Sequence, residues 1–231
     1  MKTFVLGVAV NAITRSQALD RVRQLLADGS QHVVITPNPE IVMAARRDLR
    51  LRAIINSASL AAPDGVGLVW ALRRRGVEAE RVPGVEVMTD ICELAAALKK
   101  RVFLLGGKRG AAERTATRLR KQWPALSVAG WSENADDIEA IRRTRPDILF
   151  VALGTPKQEY WIETHLTELP SVKIALGVGG AFDILSGQLP RAPGWLRRLG
   201  LEWLWRLILE PSRFARIFNA VVRFPFAIWR A

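Results

Sequence analysis

Thiols and imidazoles are nearly absent from this chain. Cys92 is the single cysteine in 231 residues. That excludes an internal disulfide and a cysteine-based zinc site, and it suits a reducing compartment. His32 and His165 are the only histidines. The first opens a strand-like run, the second closes a helical one, and no ligand spacing joins them. No Asp-x-Asp pair offers a divalent-cation site, and Asp136-Asp137 read as helix-start residues. A Gly-x-Ser-x-Gly elbow is missing, which argues against a serine hydrolase. So are Gly-x-Gly-x-x-Gly and Walker A loops, which argues against a nucleotide-dependent oxidoreductase or a P-loop enzyme. No run reaches the roughly 18–20 uncharged residues of a transmembrane helix, so any membrane contact is from the surface. The opening "MKTFVLGVAV" has one lysine and a short apolar run, with helical spacing directly after it. It reads as a buried first strand rather than a secretory signal. Internal repeats and low-complexity linkers are also missing.

What is present is an apolar, basic chain. Apolar residues make up 49%, enough for a folded core, and the length suits one large core or one domain with an appendage. Thirty-four Lys and Arg stand against 22 acids, a formal charge of +12. Such an excess fits nucleic acid, an anionic membrane or a phosphate-bearing substrate. Short apolar runs ("TFVLGVAV", "HVVIT", "SLAAP", "RVFLLGG", "LSVAGW", "DILFVALG", "VKIALGVGG") alternate with helical segments, among them "PEIVMAARRDLRLRAIINSA" read as one helix. Near-continuous apolar strands alternating with helices predict an α/β fold, Rossmann-like. Its mainly parallel sheet carries helices on both faces. Ligands in such folds bind beyond the carboxyl ends of the strands.

Five loops at those strand ends hold the unusual residues. Thr36 and Asn38 in "TPNPE" are neutral hydrogen-bonding groups, and Asn38 before Pro39 is also a good N-cap. Asp64 in "PDG" is either a turn former or a general base, which would need a substrate hydroxyl in reach and partial desolvation. Gly106, Gly107, Lys108 and Gly110 lie between a strand and a helix. They fit a phosphate contact through backbone N–H groups, or a tight turn with solvated cations. In "GTPKQEYWI", Pro156 and Lys157 start a helix; Gln158 either belongs to its first turn or aims at a sugar. Asp183, after the glycines of "GVGGAF", could accept from a nucleobase or ribose, or cap the next turn.

Composition changes near residue 190. From Arg191 onward there are eight arginines and two glutamates, half of the chain's charge excess, with four of eight Trp and four of eight Phe. Residues 1–190 read as the core and residues 191–231 as a helical, basic and aromatic appendage. Arg213, Arg216, Arg223 and Arg230 fall on one helical stripe, with Phe214, Ile217, Phe218, Val221 and Phe224 roughly opposite. Pro225 is expected to kink or end that helix. The pattern is that of an interfacial membrane binder, or of a helix packed on the core with an exposed arginine face. A non-enzymatic protein holding anionic lipid or nucleic acid is the alternative to an enzyme, and the aromatic residues facing the arginine stripe favour lipid.

The blocks "TPNPEIV", "PDGVGLVWA", "ERVPGVEVM", "LLGGKRG", "DILFVALGTPKQEYWI", "GVGGAFDILSGQLPRAP" and "GLEWLWRLILEPSRFARI" resemble, in this order, the WecG/TagA/CpsF glycosyltransferases, family 26. The resemblance runs over essentially the whole chain. It implies an inverting, metal-independent hexosyltransferase without a cofactor, working in bacterial surface-polysaccharide synthesis. The implied donor is a UDP-sugar, such as UDP-N-acetylmannosamine or its uronic acid. The implied acceptor is a saccharide on polyprenyl pyrophosphate. It further implies a peripheral place on the inner face of the cytoplasmic membrane, on an anionic surface and without nucleic acid; the apolar helices could support a homo-oligomer. Asp64 matches the family's proposed base, and Thr36 and Asn38 match its polar loop. Arg81, the 106–110 loop, Gln158 and Asp183 match substrate-binding positions. Arg206, Arg213 and Arg216 are the candidates for appendage arginines that complete the active site.

Overall fold

The computed structural model describes residues 2–231. Its first segment is a hairpin, β1 (Lys2–Val5) and β2 (Val8–Asn11), rather than the single strand expected from "TFVLGVAV". Leu6 and Gly7 both take positive φ, the requirement of a tight two-residue hairpin turn. Val5, Val8 and Val10 are buried, and the Asn11 side chain accepts from the Ala61 N–H at 2.8 Å, tying the hairpin to the main sheet.

After helix α1 (Arg15–Ala27), capped by Thr14, and β3 (His32–Ile35), the expected long helix comes as two, α2 (Pro39–Ala45) and α3 (Leu49–Ser57). Asp48 causes the break: its carboxylate accepts from the Leu51 N–H at 2.9 Å and from the Tyr160 hydroxyl. Then follow β4 (Leu60–Ala61), α4 (Val66–Arg73), α5 (Gly84–Ala97), β5 (Arg101–Gly106), α6 (Ala111–Gln122) and β6 (Ser127–Ser132). Next are α7 (Ile138–Thr144), β7 (Ile148–Ala152), α8 (Lys157–His165), β8 (Ile174–Gly177) and α9 (Ala181–Leu185).

Strands β3 to β8 form one six-stranded sheet in the order β4-β3-β8-β7-β5-β6, parallel throughout. The period of two divides its side chains. Val34, Val102, Leu104, Ile148, Phe150, Ile174 and Leu176 face the layer of α1, α5 and α6. Their neighbours Phe103, Leu105, Leu149, Val151 and Ala175 face α7 and α8. Both faces are covered, which is why the strands are apolar almost throughout.

The C-terminal segment wraps back over the strand ends as α10 (Gly194–Arg198), α11 (Glu202–Leu209), a 3-10 turn (Pro211–Arg213), α12 (Phe214–Phe218), a π turn (Asn219–Arg223) and α13 (Phe224–Trp229). Pro225 sits in the first turn of α13, where its missing N–H costs nothing. It therefore opens a helix instead of ending one, and the π turn before it absorbs the irregularity. The apolar stripe expected to lie on one side is divided. Ile217, Phe224 and Ile228 are buried, whereas Phe214, Phe218, Val222, Phe226 and Trp229 are exposed. Phe224 and Ile228 belong to the same cluster as the hairpin, α2, α3 and α4.

Candidate active site

The carboxyl ends of β3, β4, β7 and β8 open into a cavity of about 540 Å³, roofed by the C-terminal segment. Each loop is held by its own backbone bonds. Asn38 caps α2, its Oδ1 accepting from the Ile41 N–H at 2.9 Å. The Asp64 N–H donates to the Pro37 carbonyl at 2.8 Å, and the Val82 N–H to the Pro63 carbonyl at 2.8 Å. The β3 loop, the β4 loop and the start of α5 are thus stitched side by side. Thr36 is buried at their junction, and a Cβ on Gly84 would stand 2.9 Å from its Oγ1, so the close approach requires glycine.

Asp64 is recessed but 27% exposed, with Arg81 Nε 3.9 Å from Oδ1 and the Gly84 N–H donating to Oδ2 at 3.4 Å. Burial pushes its carboxyl above the usual range, opposed by the Arg81 charge and by backbone N–H groups. A carboxylate made more basic by burial yet open to the cavity suits proton abstraction.

Gln158 lies under the β8 loop. Its Oε1 accepts from the Gly179 N–H at 2.9 Å and its Nε2 donates to Glu159 Oε1 at 2.8 Å. Gly177 has no room for a side chain, since a Cβ would come within 2.6 Å of Gln158 Nε2. Glu159 is 1% exposed; burial pushes its carboxyl up, and Oε2 has no hydrogen-bond partner.

The roof brings arginines over these loops. Arg206 Nη2 lies 3.8 Å from Asp183 Oδ2, and Arg206 also contacts Glu210, whose Oε2 is 3.0 Å from Arg213 Nε. A Cβ on Gly180 would stand 2.8 Å from Arg206 Nη2, so the guanidinium lies close over the β8 loop. Arg216 stands 3.7 Å from Glu40 of α2. Glu202, at the start of α11, accepts from Arg81. Desolvation lowers the Arg206 pKa and raises that of Asp183, each partly offset by the other's charge.

The family model for the glycosyl transferase WecG/TagA/CpsF family matches residues 3–231. The chain belongs to that family. A Bacillus subtilis (strain 168) relative, named N-acetylglucosaminyldiphosphoundecaprenol N-acetyl-beta-D-mannosaminyltransferase, is 36% identical over 81% of this chain and 75% of its own. A Staphylococcus aureus (strain MRSA252) relative of the same name is 34% identical over 94% of this chain and 88% of its own. The protein is a glycosyltransferase, and the cavity is its candidate active site.

Of the residues singled out in the sequence, Thr36, Asn38, Asp64, Arg81, Gln158, Arg206, Arg213 and Arg216 all line this glycosyltransferase cavity. Asp183 stands behind the wall and reaches it through Arg206. The Gly106, Gly107, Lys108 and Gly110 loop lies off the wall. The Gly107 N–H is spent on the Ala152 carbonyl and the Ala111 N–H on the Lys108 carbonyl. All three glycines have positive φ, and Cβ atoms on Gly106 and Gly107 would meet the Ala152 carbonyl and Phe182. Packing therefore accounts for those glycines, while the Lys108 charge still acts on Asp183. Glu40, Glu159, Glu202 and Glu210 were not read from the sequence as site residues; Glu159 read only as a first-turn acid of its helix. A usable signal existed for two of them: Glu202 and Glu210 are the only acids in an arginine-rich stretch.

Proposed function

We propose that this glycosyltransferase moves an N-acetylmannosamine-type sugar from a UDP donor onto a saccharide carried by polyprenyl pyrophosphate. Asp64 serves as the general base. The observation that carries this reading is the position of Asp64: an elevated carboxyl open to a cavity whose roof holds Arg206, Arg213 and Arg216. The names of the relatives supply the acceptor and the sugar. In one in-line displacement, the acceptor hydroxyl attacks the anomeric carbon from the face opposite UDP. Its proton passes to Asp64, the new glycosidic C–O bond forms, and the bond to the UDP oxygen breaks with inversion. The departing diphosphate gains negative charge, which Arg206, Arg213 and Arg216 neutralise without a metal ion.

In this reading residues 1–190 bind and react, and residues 191–231 are a membrane-associating lid. The exposed Trp195, Leu199, Ile208, Phe214, Phe226 and Trp229 beside Arg198, Arg223 and Arg230 are the chemistry of an interfacial contact. Among the described residues no helix is long and apolar enough to cross a membrane. In the proposed reading the enzyme rests peripherally on the inner leaflet, where the lipid-linked acceptor lies.

The test is UDP release from UDP-N-acetylmannosamine with a polyprenyl-pyrophosphate-linked N-acetylglucosamine acceptor, in excess EDTA. Wild type turns over. Asp64→Asn loses roughly 100-fold or more, the scale of a general base, while still binding the UDP-sugar. Wild-type turnover in the Asn variant would remove the base assignment, and a strict Mg²⁺ requirement would remove the metal-free account.

A further inference from the structure

Arg81 is shared between two carboxylates on different parts of the chain. Its Nη2 donates to Glu202 at the first turn of α11, and its Nε lies 3.9 Å from Asp64 Oδ1 without hydrogen-bonding it. Arg81 belongs to the short segment before α5; Glu202 belongs to the roof. Both side chains are mostly buried, so the contact is poorly screened by solvent. An arginine beside one accessible carboxylate takes it bidentately where nothing competes, occupying both oxygens and lowering its basicity. Here something competes.

We infer that Glu202 is a positioning residue for the reaction. By holding the Arg81 guanidinium toward the roof, it keeps Asp64 free to accept a proton, and it makes that freedom depend on a docked C-terminal segment. The inference rests on the reading of Asp64 as the base.

The charged groups around Asp64 are few. Arg81 stands on the segment before α5, Glu86 in the first turn of α5, and Glu202 on the roof; the Gly84 and Gly65 N–H groups also face the carboxylate. Arg81 and the two N–H groups favour the charged form, and Glu86 disfavours it. Glu202 acts against Arg81 by drawing its guanidinium away. With the roof undocked, or Glu202 neutralised, Arg81 is left to Asp64 alone. Asp64 then becomes a weaker base whose lone pairs are occupied. An open enzyme away from its acceptor would hold its base in an inactive ion pair.

The test is a kinetic comparison of Glu202→Gln and Glu202→Asp with wild type, using UDP release across a pH series, with limited trypsin digestion of the tail as the docking control. Gln preserves shape and an acceptor oxygen but removes the charge. The expected result for Glu202→Gln is kcat lower by about tenfold, part of the contribution of a general base. Its donor KM stays within about twofold of wild type, because the diphosphate arginines are untouched. The acid limb of its pH–rate profile moves to lower pH. Glu202→Asp restores the wild-type limb. The inference is overturned by an unmoved acid limb, by an unchanged kcat, by a donor KM that rises alone, or by a tail that is digested as freely as an undocked one. Asp64→Asn in the same assay separates the two ideas. If it retains turnover, the base reading fails. If it is inactive while Glu202→Gln behaves as wild type, only the role of Glu202 fails.

Discussion

Phe224→Ala tests how the C-terminal segment is held. Phe224 is fully buried at the start of α13, against Gly67 of α4, and shares its cluster with Ile228 one turn on. Truncating a buried phenylalanine costs about 3–5 kcal/mol, from lost transfer energy and the cavity left behind. Two of the ion pairs between roof and core add little to this. Arg191–Glu86 and Arg216–Glu40 are partly exposed, and such pairs are worth about 0–1 kcal/mol each. If the whole cost falls on docking, the docked population drops relative to the open one by about two to four powers of ten. Because Arg206, Arg213 and Arg216 travel with this segment, UDP release should fall with it. Tryptic cleavage in the arginine-rich tail should accelerate, while the far-UV circular dichroism of the sheet and its helices is retained. Phe226→Ala, two residues on and exposed, is the control and should leave both readouts alone when the acceptor is short-chain and water-soluble. A Phe224→Ala enzyme that resists trypsin and turns over like wild type would refute the docking argument.

Two further outcomes follow from exposure and burial. Replacing Trp195 and Trp229 together by Ser should sharply reduce flotation with anionic vesicles and leave turnover on a short-chain, water-soluble acceptor unchanged; undiminished flotation would place the membrane contact elsewhere. Glu159 tests the buried carboxyl. Burial raises its pKa in the folded state, so the native protein binds this proton more tightly than the unfolded chain does. Its favourable contribution is complete below the ordinary value of 4.5 and is lost as pH rises through the raised one. Glu159→Gln should therefore gain on wild type in melting temperature as pH climbs from acid to neutral, and a pH-independent difference would contradict that sign.

The parallel sheet was legible because its inner strands are apolar runs, and the loops that line the cavity follow from the rule that such sheets bind at their carboxyl ends. The departures have local causes. "TFVLGVAV" contains no Asn-Gly or Asp-Gly signal, so the Leu6-Gly7 turn left no mark beyond one glycine. Asp48 breaks a helical pattern because Tyr160, over a hundred residues on, donates to it, a partner invisible in one dimension. The arginine stripe of the tail was readable from spacing. The division of its apolar side was not, because it depends on which surface Phe224 meets. Glu159 looked like an ordinary first-turn acid of α8, and only the packing of Gln158 under Gly179 places it out of solvent.

The ion pairs of Arg206, Arg213 and Arg216 divide by partner. Contacts within the roof are close: Glu210 holds Arg206 directly and Arg213 at 3.0 Å. The arginines' contacts to core carboxylates are long: Arg206 to Asp183 at 3.8 Å and Arg216 to Glu40 at 3.7 Å. Three tail arginines without acids nearby would repel one another and pull the roof outward. Glu210 offsets part of that repulsion by contacting both Arg206 and Arg213, so the pair is held together before any ligand enters. The long contacts to Asp183 and Glu40 are the weaker ones, and a diphosphate gains short, charge-assisted hydrogen bonds by replacing them. Under the proposed reaction, donor binding would exchange loose roof-to-core contacts for roof-to-ligand ones and leave the Glu210 clamp intact. The ligand then becomes part of what closes the roof, and the Glu202–Arg81 contact is the link by which that closure reaches the base.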